Sequence, residues 1–169
     1  MKRLLLLRHG KSDWANPDQP DNERPLNPRG QRAAALMGAY LRQRGLTPDL
    51  IISSPAVRTR ETAHRVLAAL QAEVPLEFRS ELYLAEPKTI AEVVRSAPEG
   101  VSTLLVIGHN PGMQLAALNM SAGDPAGRRD EIEDKFPTAA LAVIEFDAAD
   151  WSKAKAGDLV AFDSPKALV

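Results

Sequence analysis

Residues 4–10 read Leu4-Leu5-Leu6-Leu7-Arg8-His9-Gly10. Four consecutive leucines do not alternate between core and water, so the run predicts a strand buried on both faces, as in a parallel sheet. It is too short for the apolar stretch of a signal peptide, and Arg8 ends it. A second run of the same kind, residues 103–107, is followed at once by Gly108-His109-Asn110. Two buried strands that each end in a histidine set the frame for the rest of the chain.

Beyond Gly10, three prolines (Pro17, Pro20 and Pro25) predict a long loop, of the kind that often binds ligands. Asn27 is a candidate helix cap with Pro28 in the first turn. Ala33, Leu36, Met37, Tyr40 and Leu41 then recur at helical spacing until Gly45 stops the helix. A short strand is expected at 50–52. Ser54 reads as the cap, and Pro55 as the first residue, of a helix running to about residue 70. Residues 76–78 suggest another strand and 81–85 a loop. Pro87 opens a helix that places Ile90, Val93, Val94 and Ala97 on one face. After the 103–107 strand a short helix fits 113–118, while 119–137 is polar and charged with no clear strand. The last strands are expected at 141–146 and 159–162, with Trp151 covering the core beside the final hairpin. This alternation predicts one domain over 1–169, a three-layer α/β/α sandwich with a mostly parallel central sheet.

Composition narrows the chemistry. Of the 169 residues, 44% are hydrophobic, ample for a packed core, and only 5% are aromatic, so aliphatic residues must fill it. With no cysteine, disulfides, thiol catalysis and thiolate metal sites are excluded. No stretch is long and apolar enough to span a membrane, which makes a cytoplasmic location the expectation. The net charge of −1 hides an asymmetry: residues 1–65 carry 12 Lys/Arg against 6 Asp/Glu, and the remainder 9 against 16. The basic half lacks interleaved aromatics, so it reads as an anion-binding surface rather than a nucleic-acid groove.

Ligands of open α/β sheets bind beyond the carboxyl ends of parallel strands. If the two strands run the same way, His9 and His109 share that edge, and the Ser53-Ser54-Pro55 turn adds Arg58 from the first turn of its helix. Arginine forks and helix N-termini suit a phosphoryl group. One histidine can act as a covalent nucleophile, and a second, charged one can stabilise the transferring oxygens. Gly10 is needed either for close backbone approach to phosphate or for an unusual φ. Ser12 either donates to phosphate or stabilises the turn. His64 reads as a solvated helix residue. There is no G-x-S-x-G elbow around Ser54, no dinucleotide fingerprint and no P-loop.

The ordered motifs Arg8-His9-Gly10-Lys11-Ser12, Arg24-Pro25-Leu26 with Gly30, Ser53-Ser54-Pro55 with Arg58 and Thr62-Ala63, Gly108-His109-Asn110 and Phe136-Pro137-Thr138 resemble the histidine phosphatase superfamily. This family is also called phosphoglycerate mutase-like, and the short chain looks most like its SixA-type phosphohistidine phosphatase branch. The resemblance implies that His9 carries the phosphoryl group. It also implies that Arg8 and Arg58 grip that group, that His109 is the second pocket histidine, and that no cofactor or metal is needed. Gly10, Ser12 and Asn110 are the candidate substrate contacts. Members acting on phosphate esters usually supply a carboxylate acid. Asn110 stands where one branch has it, which leaves Glu81 as the candidate. A weak or absent acid favours a P–N bond, because a departing imidazole is protonated more easily than an alkoxide. The expected partner is therefore a phosphorylated protein or a small phosphate ester. A small-molecule phosphomonoesterase and a non-catalytic phosphate-binding module are the alternatives. A mutase would need a second phosphate cluster, and only scattered basic residues such as Lys11, Arg128 and Arg129 are present.

Overall fold

The computed structural model describes residues 1–168. The leucine run lies in strand β1 (Lys2–Arg8), where Leu4 to Leu7 are completely buried. Alternate residues face opposite sides of the sheet. Leu4 and Leu6 enter one apolar cluster, and Leu5 and Leu7 the other. Strand β4 (Thr103–Gly108) divides in the same way, with Leu104 and Val106 on the first side and Leu105 and Ile107 on the second. An unbroken apolar run is thus the signature of a strand with helices on both faces.

Helices α1 (Pro28–Gln43) and α2 (Val57–Leu70) cover one face through Met37, Leu41, Val66 and Leu70. Helices α3 (Pro87–Arg95), α4 (Gly112–Asn119) and α5 (Arg129–Asp134) cover the other through Ile90, Val94, Met113 and Ile132. Between them lie β2 (Leu50–Ser53), β3 (Leu76–Phe78), β5 (Ser121–Gly123), β6 (Leu141–Phe146) and β7 (Gly157–Asp163). The seven strands are ordered β3-β2-β4-β1-β6-β7-β5. Only β6 runs against the rest. The three-layer, mostly parallel architecture expected from the alternation is the one observed.

Register positions the site. β1 pairs parallel with β4, with Arg8 opposite Gly108, so His9 and His109 leave the sheet side by side. β2 lies on the other side of β4, with Ser53 opposite Ile107, and brings Ser54 to the same edge.

Two expectations differ from the structure. Ser54 does not cap α2. Pro55 and Ala56 stay outside the helix (Ala56 ψ is 148°), Ala56 occupies the cap position, and the helix begins at Val57. The stretch 119–137, read as lacking a strand, contains β5 and α5. β5 is Ser-Ala-Gly, with no β-forming side chain; it is a strand because β7 offers it an edge to pair with.

Asn27 caps α1 as expected, its side-chain oxygen accepting from Gly30 N at 2.7 Å. That cap packs against the loop leaving β1. A Cβ on Gly30 would lie 2.1 Å from the Lys11 carbonyl oxygen, and one on Gly10 would lie 2.7 Å from the Gly30 carbonyl oxygen. Both obstructions are backbone, which yields little. Gly30→Ala is expected to cost about 1–3 kcal/mol and to lower the melting temperature. An unchanged melting curve would show that the two segments separate freely.

Candidate active site

Beyond the carboxyl ends of β1, β2 and β4 lies a pocket of about 380 Å³. Arg8, His9, Arg58 and His109 all line it, as do Ser12 and Asn110. The two imidazoles lie 5.4 Å apart between ring centres. His9, Arg58 and His109 are at most 7% exposed.

Each ring has a defined tautomer. His9 Nδ1 lies 2.6 Å from the Gly10 carbonyl oxygen, which only accepts, so the proton sits on Nδ1 and the Nε2 lone pair is free. His109 Nδ1 accepts from Arg58 Nη2 at 3.3 Å, and its Nε2–H donates to Ser54 Oγ at 2.8 Å. The hydroxyl read as a helix cap therefore orients a pocket histidine.

Burial pushes the His9 pKa down to about 4; the Gly10 hydrogen bond opposes this, and the charges of Arg58, Arg8 and Arg24 add to it. Burial likewise pushes His109 down to about 3, helped by His9 and Arg58. These surroundings keep both rings neutral near pH 7, whereas a charged His109 was expected from its role. A dianion entering the pocket would favour its protonation.

The pH dependence of stability follows. Both folded-state pKa values lie below the usual 6.5, so between about 4 and 6.5 the unfolded chain binds more protons. This contribution is complete above 6.5 and is lost as the pH falls, towards 4 for His9 and towards 3 for His109. The melting temperature should therefore drop across that window, and drop less in a His9→Gln/His109→Asn double variant. Identical pH slopes for the two proteins would refute it.

Arg8 is anchored by Nη1 donating to the Phe136 carbonyl at 2.9 Å, so the Phe136-Pro137-Thr138 segment holds one arm of the pocket. Burial and the Arg58 charge lower the Arg8 pKa. Thr62 Oγ1 donates to the Arg58 carbonyl at 2.7 Å and accepts from Gly10 N at 3.0 Å, tying α2 to the β1 loop. Gly10 does not have a positive φ, and its need for glycine is the approach of Gly30. Ser12 Oγ accepts from Arg24, which makes it a support for that arginine. Asn110 Nδ2 donates to the Phe136 carbonyl at 3.1 Å, and its Oδ1 accepts from Gln114 N at 3.2 Å in α4.

Several pocket residues were not singled out as site residues from the sequence. Arg24, 6% exposed, is a third guanidinium, covered by the Trp14 ring 3.5 Å away. Asp21, in a 3₁₀ turn at Asp21–Glu23, joins the arginines. Its carboxylate accepts from Arg24 Nη2 at 2.9 Å, from Arg58 Nη2 at 3.0 Å and from Tyr83 OH, and its carbonyl accepts from Arg58 Nη1 at 2.7 Å. Burial alone would raise its pKa, but the bonds from Tyr83, Arg24 and Arg58 outweigh this and hold it well below the usual carboxylate range. Arg24 stood in the Arg24-Pro25-Leu26 motif without a role of its own, and the only signal for Asp21 was its place in the proline-rich loop.

Glu81 is not in the pocket. It is exposed and pairs with Arg79, Oε2 to Nη2 at 2.9 Å, in the turn after β3. Asp21 is the one carboxylate lining the pocket among the described residues, facing three arginines and Lys11. The Nε atoms of Arg8, Arg24 and Arg58 are buried and have no hydrogen-bond partner among the described residues of the pocket. Its unbalanced cations and free imidazole lone pair suit a dianion and nucleophilic attack on it. No cluster of three or more His, Asp or Glu able to hold a metal occurs among the described residues. Nor is any described helix long and apolar enough to cross a membrane.

Residues 4–83 match the family model of the histidine phosphatase superfamily, branch 1. An uncharacterized protein of Mycobacterium tuberculosis is 36% identical over 165 residues, covering 95% of this chain and 100% of its own. The Escherichia coli phosphohistidine phosphatase SixA is 26% identical over 147 residues, covering 86% of each chain. A solved structure from Nakamurella multipartitia, provisionally named a phosphohistidine phosphatase SixA, is 31% identical with a TM-score of 0.78, covering 97% of this chain and 96% of its own.

Proposed function

The chain belongs to the histidine phosphatase superfamily, and on that premise we propose that it is a metal-independent, cytoplasmic phosphatase working through a phosphohistidine at His9, with protein-borne phosphohistidine as substrate. The observation that carries this reading is the pocket itself: a neutral His9 with Nε2 unengaged, facing the buried Arg24 and Arg58 and the half-buried Arg8, with a single carboxylate among them.

In the proposed first step His9 Nε2 attacks phosphorus in line, and the bond to the leaving nitrogen breaks. Arg8 and Arg58 hold the non-bridging oxygens, His109 joins them once the dianion has drawn a proton onto its Nδ1, and Arg24 adds charge behind them. Arg58 and Arg24 are engaged with Asp21, so the incoming dianion competes with that carboxylate for their donors. The Nδ1–H bond to Gly10 stabilises the ring as it gains charge. Water then attacks phosphorus, and His9 is regenerated as phosphate leaves.

The substrate class rests on proton supply. An alkoxide needs a proton as it departs, and the pocket's carboxylate is held ionised while Glu81 lies outside. A phosphohistidine imidazole can bring its own proton. Turnover of a phosphohistidine peptide should therefore exceed that of an alkyl phosphomonoester in kcat/KM, unchanged by a chelator. Equal or reversed values would remove the substrate assignment. Loss of turnover on chelation would remove the metal-independent chemistry. Mass spectrometry of rapidly quenched enzyme should find phosphate on His9.

A further inference from the structure

A second cleft, of about 660 Å³, adjoins the phosphate pocket, and Arg8, Lys11 and Thr138 line both. Its size is within the usual range for ligand-binding clefts. It lies between the start of α1, the α5 segment and the residues following β7. Ala33, Pro137, Phe162 and Pro165 supply apolar lining.

The charge around this cleft is lopsided. Arg8, Lys11, Arg29, Lys135 and Lys166 contribute five cations, and Glu131 and Asp134 two anions. Glu131 is already paired with Arg128, Oε1 to Nε at 2.7 Å. The side chains of Lys11, Arg29, Lys135 and Lys166 have no ion-pair or hydrogen-bond partner among the described residues. These cations come from separate parts of the chain, which is why they look scattered in the sequence; the fold gathers them beside the phosphate arginines.

We infer that this cleft is a second subsite, and that it binds an acidic stretch of polypeptide flanking the phosphorylated residue. The inference rests on the proposed phosphatase reading and specifies its substrate. Exposed, unpaired lysines over an apolar floor suit acidic side chains with aliphatic stems, whereas a small metabolite would need donors held in place by partners. Continuity through Arg8 and Lys11 lets one chain occupy the pocket with its phosphoryl group and the cleft with its neighbours.

Two phosphohistidine peptides, one with Asp and Glu flanks and one with Ser and Gln flanks, test this on the full-length protein. The acidic peptide should have a kcat/KM about tenfold higher at low salt, and the preference should shrink as salt rises. In a Lys135→Glu/Lys166→Glu double variant it should vanish or invert; single Lys166→Glu serves if the double variant does not fold. Because the readout is a ratio within each protein, general loss of activity does not mimic the effect. A wild-type ratio near one, or a preference that survives in the variants, overturns the cleft assignment. Should neither peptide turn over while p-nitrophenyl phosphate is hydrolysed through His9, the phosphohistidine reading fails separately. The ratio of dissociation constants of the two peptides on a His9→Ala protein then decides the cleft, and a ratio of one, or no binding of either, overturns it.

Discussion

His9→Ala should lower kcat by at least about a thousandfold, because it deletes the proposed nucleophile rather than a charge around it. The loss should be equal for phosphohistidine peptide and p-nitrophenyl phosphate, since both steps of either reaction pass through the same Nε2. No other side chain of the pocket replaces it: His109 Nδ1 accepts from Arg58 and its Nε2–H is committed to Ser54. The variant should fold, as His9 reaches the backbone only through one side-chain hydrogen bond to its neighbour Gly10. Phosphate binding, followed by its effect on the melting temperature, should persist because Arg8, Arg24 and Arg58 remain. A variant retaining a tenth of wild-type turnover would overturn the covalent mechanism.

Arg58→Ala is expected to reduce kcat/KM by about a hundred- to a thousandfold on any phosphorylated substrate. The side chain is 3% exposed, and it organises Asp21 and His109 as well as facing the pocket. Arg58→Lys should recover little, because one ammonium cannot reproduce the fork that reaches the Asp21 carbonyl, the Asp21 carboxylate and His109 together. The Arg58 charge also helps hold both histidines neutral, so the variant should raise the pKa governing the acid limb of kcat/KM above that of wild type. A lysine variant within threefold of wild type, with an unmoved acid limb, would refute this account.

That Arg8, His9, Arg58 and His109 converge on one pocket was legible from the chain because each stands at the end of a regular element: Arg8 closes β1, His9 and His109 follow β1 and β4, and Arg58 lies in the first turn of α2. A buried strand must emerge at the sheet edge, and the first residue beyond it has almost nowhere else to be. Loops carry no such constraint. The notion that Glu81 could serve as an acid came from its approximate place after β3, but a two-residue difference in a turn decides whether a side chain faces the pocket or, as here, Arg79. Ser54 shows the same limit at shorter range. Its type suits a helix cap, yet the non-helical Ala56 (ψ 148°) moves the helix start and leaves the hydroxyl to His109. Arg24 and Asp21 lay in a proline-rich stretch without periodicity, where side-chain direction is set by partners distant in the chain.

By itself the sequence determined the layers, the doubly buried strands and the sheet edge where the two histidines emerge. Each of these follows from local periodicity and from the burial of unbroken apolar runs. The tertiary structure alone decided which loop residues join them. It brought Asp21 against two arginines, kept Glu81 out of the pocket, made a strand of residues 121–123 and assembled a basic cleft from Lys11, Arg29, Lys135 and Lys166. These are contacts between segments far apart in the chain, and charge or hydrogen-bonding capacity at one position carries no record of the partner that folding will bring to it.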